Sequence, residues 1–390
     1  GLVLGTKKID TLLQRAVSEG TVPGAVGLAA NRKGIIYQGA FGCRDMDKDL
    51  PMTMDSVFWI ASMSKAITTA AAMQLVEKGL LHLDEPIYSL LPELGSVDIL
   101  EGFNADGQPQ WRKPGTAVTL RHLLTHTAGF AYEFFNQDIL NYMSQNQMPS
   151  VIACMNISLR TPLVHEPGQR WEYGTSVDWV GKAIEAVSGQ SLSDYFKDQL
   201  FPLLDMNDTA FTLSAEMYSR LAMIHQREAS GSLTRTGFLM PHEPEFFMGG
   251  GGLYSTAGDY LKFLMIILNG GTYNEVRILQ PETIKEMGRN QIGDVNVLPL
   301  KTTMPSISQD AEFFPGIIKK WGLGFMLITE DAPTGRSAGS MSWVGLANSF
   351  FWIDPVKEVA GILLTQVFPF ADEQVMDLFS QFETLIYEQL

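Results

Sequence analysis

The chain has 390 residues, 45% of them hydrophobic and 18% charged, the composition of a globular protein with material for a sizeable core. Its formal charge is −15, from 43 acidic against 28 basic residues, which speaks against nucleic acid and anionic membrane surfaces as partners, since both recruit basic patches. Two cysteines, Cys43 and Cys154, make no disulfide framework, and the absence of a CxxC removes support for thiolate zinc or dithiol redox chemistry.

The N-terminus reads Gly-Leu-Val-Leu-Gly-Thr-Lys-Lys, without a basic segment ahead of a long apolar run. No signal peptide is visible there, and a cytoplasmic location is expected. Residues 6–19 carry Ile9, Leu12, Leu13 and Ala16 at helical spacing. Residues 25–30 and 35–41 read as strands joined by Asn31-Arg32-Lys33-Gly34, a composition suited to a hairpin turn. An Ala-rich helix is predicted over 61–78, ended by Gly79. Residues 80–240 look mainly helical and loop-rich, with helices at 120–124 and 177–187. Four glycines at 249–252 lack the Lys-Ser/Thr of a phosphate loop and point instead to close backbone approach. A helix follows at 258–268. Strands return at 322–328, 349–353 and 359–365, and an amphipathic helix is predicted over 371–390.

Strands from both ends of the chain around a helical middle predict an α/β fold of the α+β type, an antiparallel sheet flanked by helices. The expected division is one α/β domain from residues 1–79 and about 250–390, a mostly helical domain from about 80–249, and an active site in the cleft between.

Ser62-Met63-Ser64-Lys65 opens the helix at 61. Positions i and i+3 share a helix face, so Lys65 can stand beside Ser62. A serine hydroxyl needs a base to become a nucleophile, and a lysine serves only if burial or the helix dipole lowers its pKa. The helix start also offers unpaired N–H groups for an oxyanion. Ser-x-x-Lys by itself is a common chance match, with an N-cap serine and a solvated lysine as its ordinary meaning. Here an apolar lead-in, Val57-Phe58-Trp59-Ile60, precedes it. Tyr173, in Trp171-Glu172-Tyr173-Gly174, can present a phenol to a neighbouring serine and shuttle its proton. In Ser342-Trp343-Val344-Gly345-Leu346, Gly345 permits a substrate to approach the strand edge, and the Leu346 N–H is a candidate oxyanion donor.

Two other patterns carry less. His122 and His126 have the i, i+4 spacing of a zinc helix but lack the glutamate and a third ligand, so no metal is expected. A Gly-x-Ser-x-Gly elbow is missing, so ester chemistry rests on Ser-x-x-Lys.

In this order and separation, the three motifs resemble the serine β-lactamase and penicillin-binding-protein superfamily, above all class C β-lactamases and family VIII carboxylesterases. The similarity extends through Leu-Arg-His-Leu-Leu-Thr-His-Thr-Ala-Gly at 120–129. Residues 100–103 and 173–182 also resemble the lovastatin acyltransferase branch. The resemblance implies Ser62 as nucleophile, Lys65 and Tyr173 sharing the base role, and the N–H groups of Ser62 and Leu346 as oxyanion hole. Tyr132 and Trp343 would line the acyl or alcohol pocket. It implies no cofactor and a small-molecule ester substrate of short to medium acyl length. Trp343 stands where such lactamases carry the lysine of Lys-Thr-Gly, and Thr175 where they carry the asparagine of Tyr-x-Asn. Both departures favour neutral esters over charged lactams. Acyl transfer by the same acyl-enzyme is the alternative; a lactamase or D,D-peptidase is disfavoured.

Overall fold

The structure, a computed structural model, describes residues 6–390; the first residues read for a signal peptide, 1–5, lie outside the described part. The chain opens with helix α1 (Thr6–Ser18), strands β1 (Gly24–Asn31), β2 (Gly34–Asp45) and β3 (Leu50–Pro51), then helix α2 (Ser64–Glu77). The middle holds α3 (Leu120–Leu124) and α4 (Ser176–Ser188), and α5 (Ala257–Leu268) follows it. Strands β4 (Lys319–Trp321), β5 (Met326–Ile328), β6 (Met341–Gly345), β7 (Ser349–Asp354) and β8 (Val359–Leu364) lead to the terminal helix α6 (Glu373–Glu388). Asp372 caps α6 by accepting the N–H of Val375 at 3.2 Å.

One eight-stranded sheet, in the order β4-β5-β6-β7-β8-β1-β2-β3, joins the two ends of the chain. All its ladders are antiparallel, and β8 meets β1 with Gly361 opposite Ala29. Alternate residues of a strand face opposite ways. On β7, Phe350 and Trp352 pack against Phe379 and Phe382 of α6, while Phe351 between them packs against Tyr260 of α5. The sheet is therefore covered on both faces. Helix α2 lies against α4 and is buried at every residue from Ser64 to Leu75. Its alanines make that possible: a helix apolar or small all round can sit inside a core.

The hairpin 24–45 and the helices at both ends of the chain follow the sequence expectation. Three elements differ. Residues 322–328 do not form one strand: β4 and β5 pair with each other, and 322–325 is the bend between them, with Gly324 at φ +93°. The segment 341–345, expected as a motif before a strand, is itself the strand β6, between β5 and β7. The middle of the chain also holds two hairpins, Ile99–Phe103 with Pro109–Arg112 and His225–Arg227 with Leu233–Arg235. The first turns on Asn104, whose side chain accepts the N–H groups of Asp106 and Gln108. Among the described residues no helix is long and apolar enough to cross a membrane.

Candidate active site

The segment Phe58–Trp59 pairs with Tyr254–Ser255, and the Ile60 N–H bonds to the Leu253 carbonyl at 3.0 Å. The chain then turns sharply. Ala61 has φ +45°, a conformation that costs a non-glycine residue about 1–3 kcal/mol and recurs at functional turns. Residues 61–63 form one 3₁₀ turn before α2. In such a turn i and i+3 eclipse one another, so Lys65 Nζ comes to 3.0 Å from Ser62 Oγ.

Lys65 is 1% exposed. Its Nζ donates to the Gly250 carbonyl at 2.6 Å and to Tyr132 OH at 2.8 Å. Burial drives its ammonium well below the ordinary value of 10.5, partly offset by the charge of Asp178. Tyr173 donates its phenol hydrogen to Ser62 Oγ at 2.5 Å. Trp343 Nε1–H donates to Tyr173 OH at 3.0 Å. An indole nitrogen only donates, so the Tyr173 oxygen must accept there and its own hydrogen is free for Ser62. Burial also raises the Tyr173 pKa, which disfavours a resting phenolate. Burial shifts Lys65 towards its neutral amine, whose two N–H groups go to Gly250 and Tyr132 and whose lone pair then remains beside Ser62 Oγ.

The structure thus brings Ser62, Lys65, Tyr173, Tyr132 and Trp343 together. Tyr132 and Trp343 line the pocket at Ser62, and each also bonds a member of the cluster, which the sequence reading had not assigned them. Gly345 lines the same pocket, but its missing side chain serves another purpose. A Cβ there would lie 2.6 Å from the Ile60 carbonyl and 2.3 Å from Ser349 Oγ, so the glycine lets β6 pack against the turn that carries Ser62. The Ser62 and Leu346 N–H groups have no backbone acceptor in the loops and turns of the described residues. The pocket itself is small, about 30 Å³, and its walls are mostly apolar, including Phe134, Phe135, Ile152 and Met248.

His122 and His126 do not share a helix face, because α3 ends at Leu124 and His126 turns away at φ +58°. His122 is spent on the capping box of α3: its Nδ1 accepts the Thr119 N–H at 3.1 Å. His126 is fully buried with its ring 5.0 Å from Tyr173 and 5.1 Å from Trp321, and neither nitrogen has a partner among the described residues. Nowhere among the described residues do three or more His, Cys, Asp or Glu converge as for a metal ion. Both cysteines are free thiols.

One group escaped sequence reasoning. Asp178, on the first turn of α4, is fully buried, and its Oδ1 accepts the Gly250 N–H at 3.0 Å. The signal was present in an acid flanked by the apolar residues Val177, Trp179 and Val180. Of the four glycines, Gly250 is pressed between Lys65 and Asp178, while the carbonyls of Gly249 and Gly251 accept from Thr68 Oγ1 at 2.7 Å and Trp59 Nε1 at 2.8 Å.

With this geometry in view, the relatives are informative. Residues 9–385 match the family model described as Beta-lactamase. The chain is 31% identical over 397 residues to the monacolin J acid methylbutanoyltransferase of Aspergillus terreus, covering 98% of this chain and 95% of that one. It is 30% identical over 402 residues to the lovastatin esterase of Penicillium rubens, covering 98% of each. The solved structure of unliganded simvastatin synthase from Aspergillus terreus superposes with a TM-score of 0.85 at 30% identity over 99% of both chains. The chain belongs to the β-lactamase family, in its branch of serine hydrolases and acyltransferases.

Proposed function

We propose that the protein is a carboxylesterase that cleaves esters of short to medium acyl chains through an acyl-enzyme on Ser62. The observation that carries this is Ser62 Oγ held between Lys65 Nζ at 3.0 Å and Tyr173 OH at 2.5 Å. Ser62 Oγ attacks the ester carbonyl carbon while its proton passes to the Lys65 amine. The carbonyl π pair moves onto oxygen, which the N–H groups of Ser62 and Leu346 receive. The C–O ester bond then breaks, the departing alkoxide takes the Tyr173 phenol proton, and the Lys65 ammonium gives the former Ser62 proton to Tyr173, whose transient negative charge the Trp343 N–H supports, so that both groups return to their starting state. Water repeats the sequence in reverse and frees the acid.

Tyr132, Trp343 and Gly345 form the walls for the acyl or alcohol group. Residues 1–79 with about 250–390 act as one domain and about 80–249 as the other, with Ser62 in the cleft between them. The absence of the Lys-Thr-Gly lysine and of the Tyr-x-Asn amide supports neutral esters as substrates rather than β-lactams.

Acyl transfer to an alcohol is the second reading. It is favoured by a relative named for methylbutanoyl transfer at 31% identity, against 30% for one named as an esterase, and by a pocket whose apolar walls admit little water. The test is a series of p-nitrophenyl esters and a chromogenic cephalosporin given to wild type and Ser62→Ala, with and without added alcohol. Ser62-dependent ester cleavage with little lactam opening supports the esterase. New ester formed from the alcohol faster than acid moves the assignment to acyltransferase. Lactam opening as fast as ester cleavage overturns both.

A further inference from the structure

Asp178 is a carboxylate that the scheme above leaves unused. It is 0% exposed, and only one of its oxygens is satisfied: Oδ1 accepts the Gly250 N–H, while Oδ2 has no partner among the described residues. A buried anion so poorly hydrogen-bonded requires a compensating charge. The group it faces that can carry that charge is Lys65, and Gly250 stands between them, giving its N–H to Asp178 and its carbonyl to Lys65 at 2.6 Å. A side chain at position 250 would put Cβ 3.0 Å from Asp178 Oδ2, a tight contact that would make the carboxylate give way by a few tenths of an ångström.

We propose that Asp178 is a positioning residue for Lys65: through the Gly250 peptide it aims the amine at Ser62, and its negative charge stabilises the ammonium that Lys65 becomes when it takes the Ser62 proton. The proposal rests on the acyl-enzyme reading of Ser62. The proton that leaves Ser62 Oγ as the new C–O bond forms stays on Lys65 Nζ until the alkoxide is expelled. During that interval the site holds an oxyanion and a buried ammonium, and Asp178 is the fixed charge that faces the latter.

The electrostatics agree with the geometry. Burial lowers Lys65 and raises Asp178, and each partly offsets the other's shift. The other titratable groups around the pair are Lys182 on Asp178's own helix, which acts to lower it, and Tyr132, Tyr173 and Cys154, which its charge pushes further up. His126, which Lys65 pushes down, completes the surroundings. None of these stands in for the carboxylate, since the phenols, thiol and imidazole are held neutral.

Asp178→Asn keeps an oxygen for the Gly250 N–H and removes the charge. An anion near an amine raises its pKa, so its loss must lower that of Lys65. The acidic limb of kcat/KM for a p-nitrophenyl ester is expected to move down by about one pH unit, and the plateau to fall by about 10- to 100-fold as the ammonium loses its counter-charge. The pH dependence of fluorophosphonate labelling of Ser62 should shift in the same direction. A lower plateau with an unmoved limb, or a limb moved upward, overturns the proposal and leaves Asp178 a structural brace. Asp178→Ser carries the same expectation if the asparagine variant does not fold, as followed by circular dichroism. Wild type that is not labelled at Ser62 would instead overturn the acyl-enzyme reading itself.

Discussion

Two deeply buried acid–base pairs among the described residues are built differently. Arg336 and Glu383, 2% and 1% exposed at their side chains, meet directly: Nε donates to one carboxylate oxygen at 3.2 Å and Nη2 to the other, with Thr334 adding a further bond. The guanidinium also lies 4.7 Å over the Phe314 ring. Lys65 and Asp178 are as deeply buried, yet a glycine peptide separates them and burial moves both towards neutrality. A bidentate pair locks charge in place. A pair held one peptide apart leaves the proton free to move, which a base must allow. The same chemistry thus gives a rivet on the sheet face and, on the function proposed above, a proton acceptor beside Ser62, and the difference is geometric.

The comparison can be broken in four ways, taken from the largest effect down. Ser62→Ala should lower turnover of a p-nitrophenyl ester by about 10⁶-fold, as loss of a serine nucleophile does elsewhere; near-normal turnover removes the active site from this place. Lys65→Met should lower it by about 10³- to 10⁴-fold, and a loss under about tenfold would hand the base role to Tyr173. Its stability should change little, because Asp178 can take up a proton once alone. In wild type the rate should fall as pH drops through the lowered Lys65 value, since the protonated amine can accept nothing from Ser62.

Arg336→Met is expected to do the reverse. It strands Glu383 beneath the sheet and should destabilise the fold by about 3–5 kcal/mol in urea unfolding, with kcat of the folded fraction within about twofold of wild type. Equal stability losses at Lys65 and Arg336 would erase the distinction between the pairs. Trp343→Phe keeps the aromatic wall and loses only the N–H to Tyr173. It should lower kcat by about 10- to 100-fold, the range of one hydrogen bond to a charged group, and leave KM nearly unchanged. A change confined to KM would return Trp343 to a purely lining role.

Much of this was legible in the residue order. The i, i+3 spacing of Ser62 and Lys65, the tyrosine at 173 ahead of a helix, the periodicity of α1 and α6, the alanines of α2 and the hairpin at 31–34 are local facts, written in neighbours along the chain. They sufficed for the fold class and for three members of the site. What the order of residues left open depends on segments far apart. That Trp343 bonds Tyr173, that Tyr132 bonds Lys65 and that Gly345 packs on Ile60 are contacts across 67 residues or more. Asp178 and the four glycines were visible as oddities, an acid flanked by Val177, Trp179 and Val180 and a backbone without side chains. Their meaning appears only when α2, α4 and residues 249–252 converge, because burial and proximity set the charge of an ionisable group, and both are properties of the packed molecule rather than of the sequence.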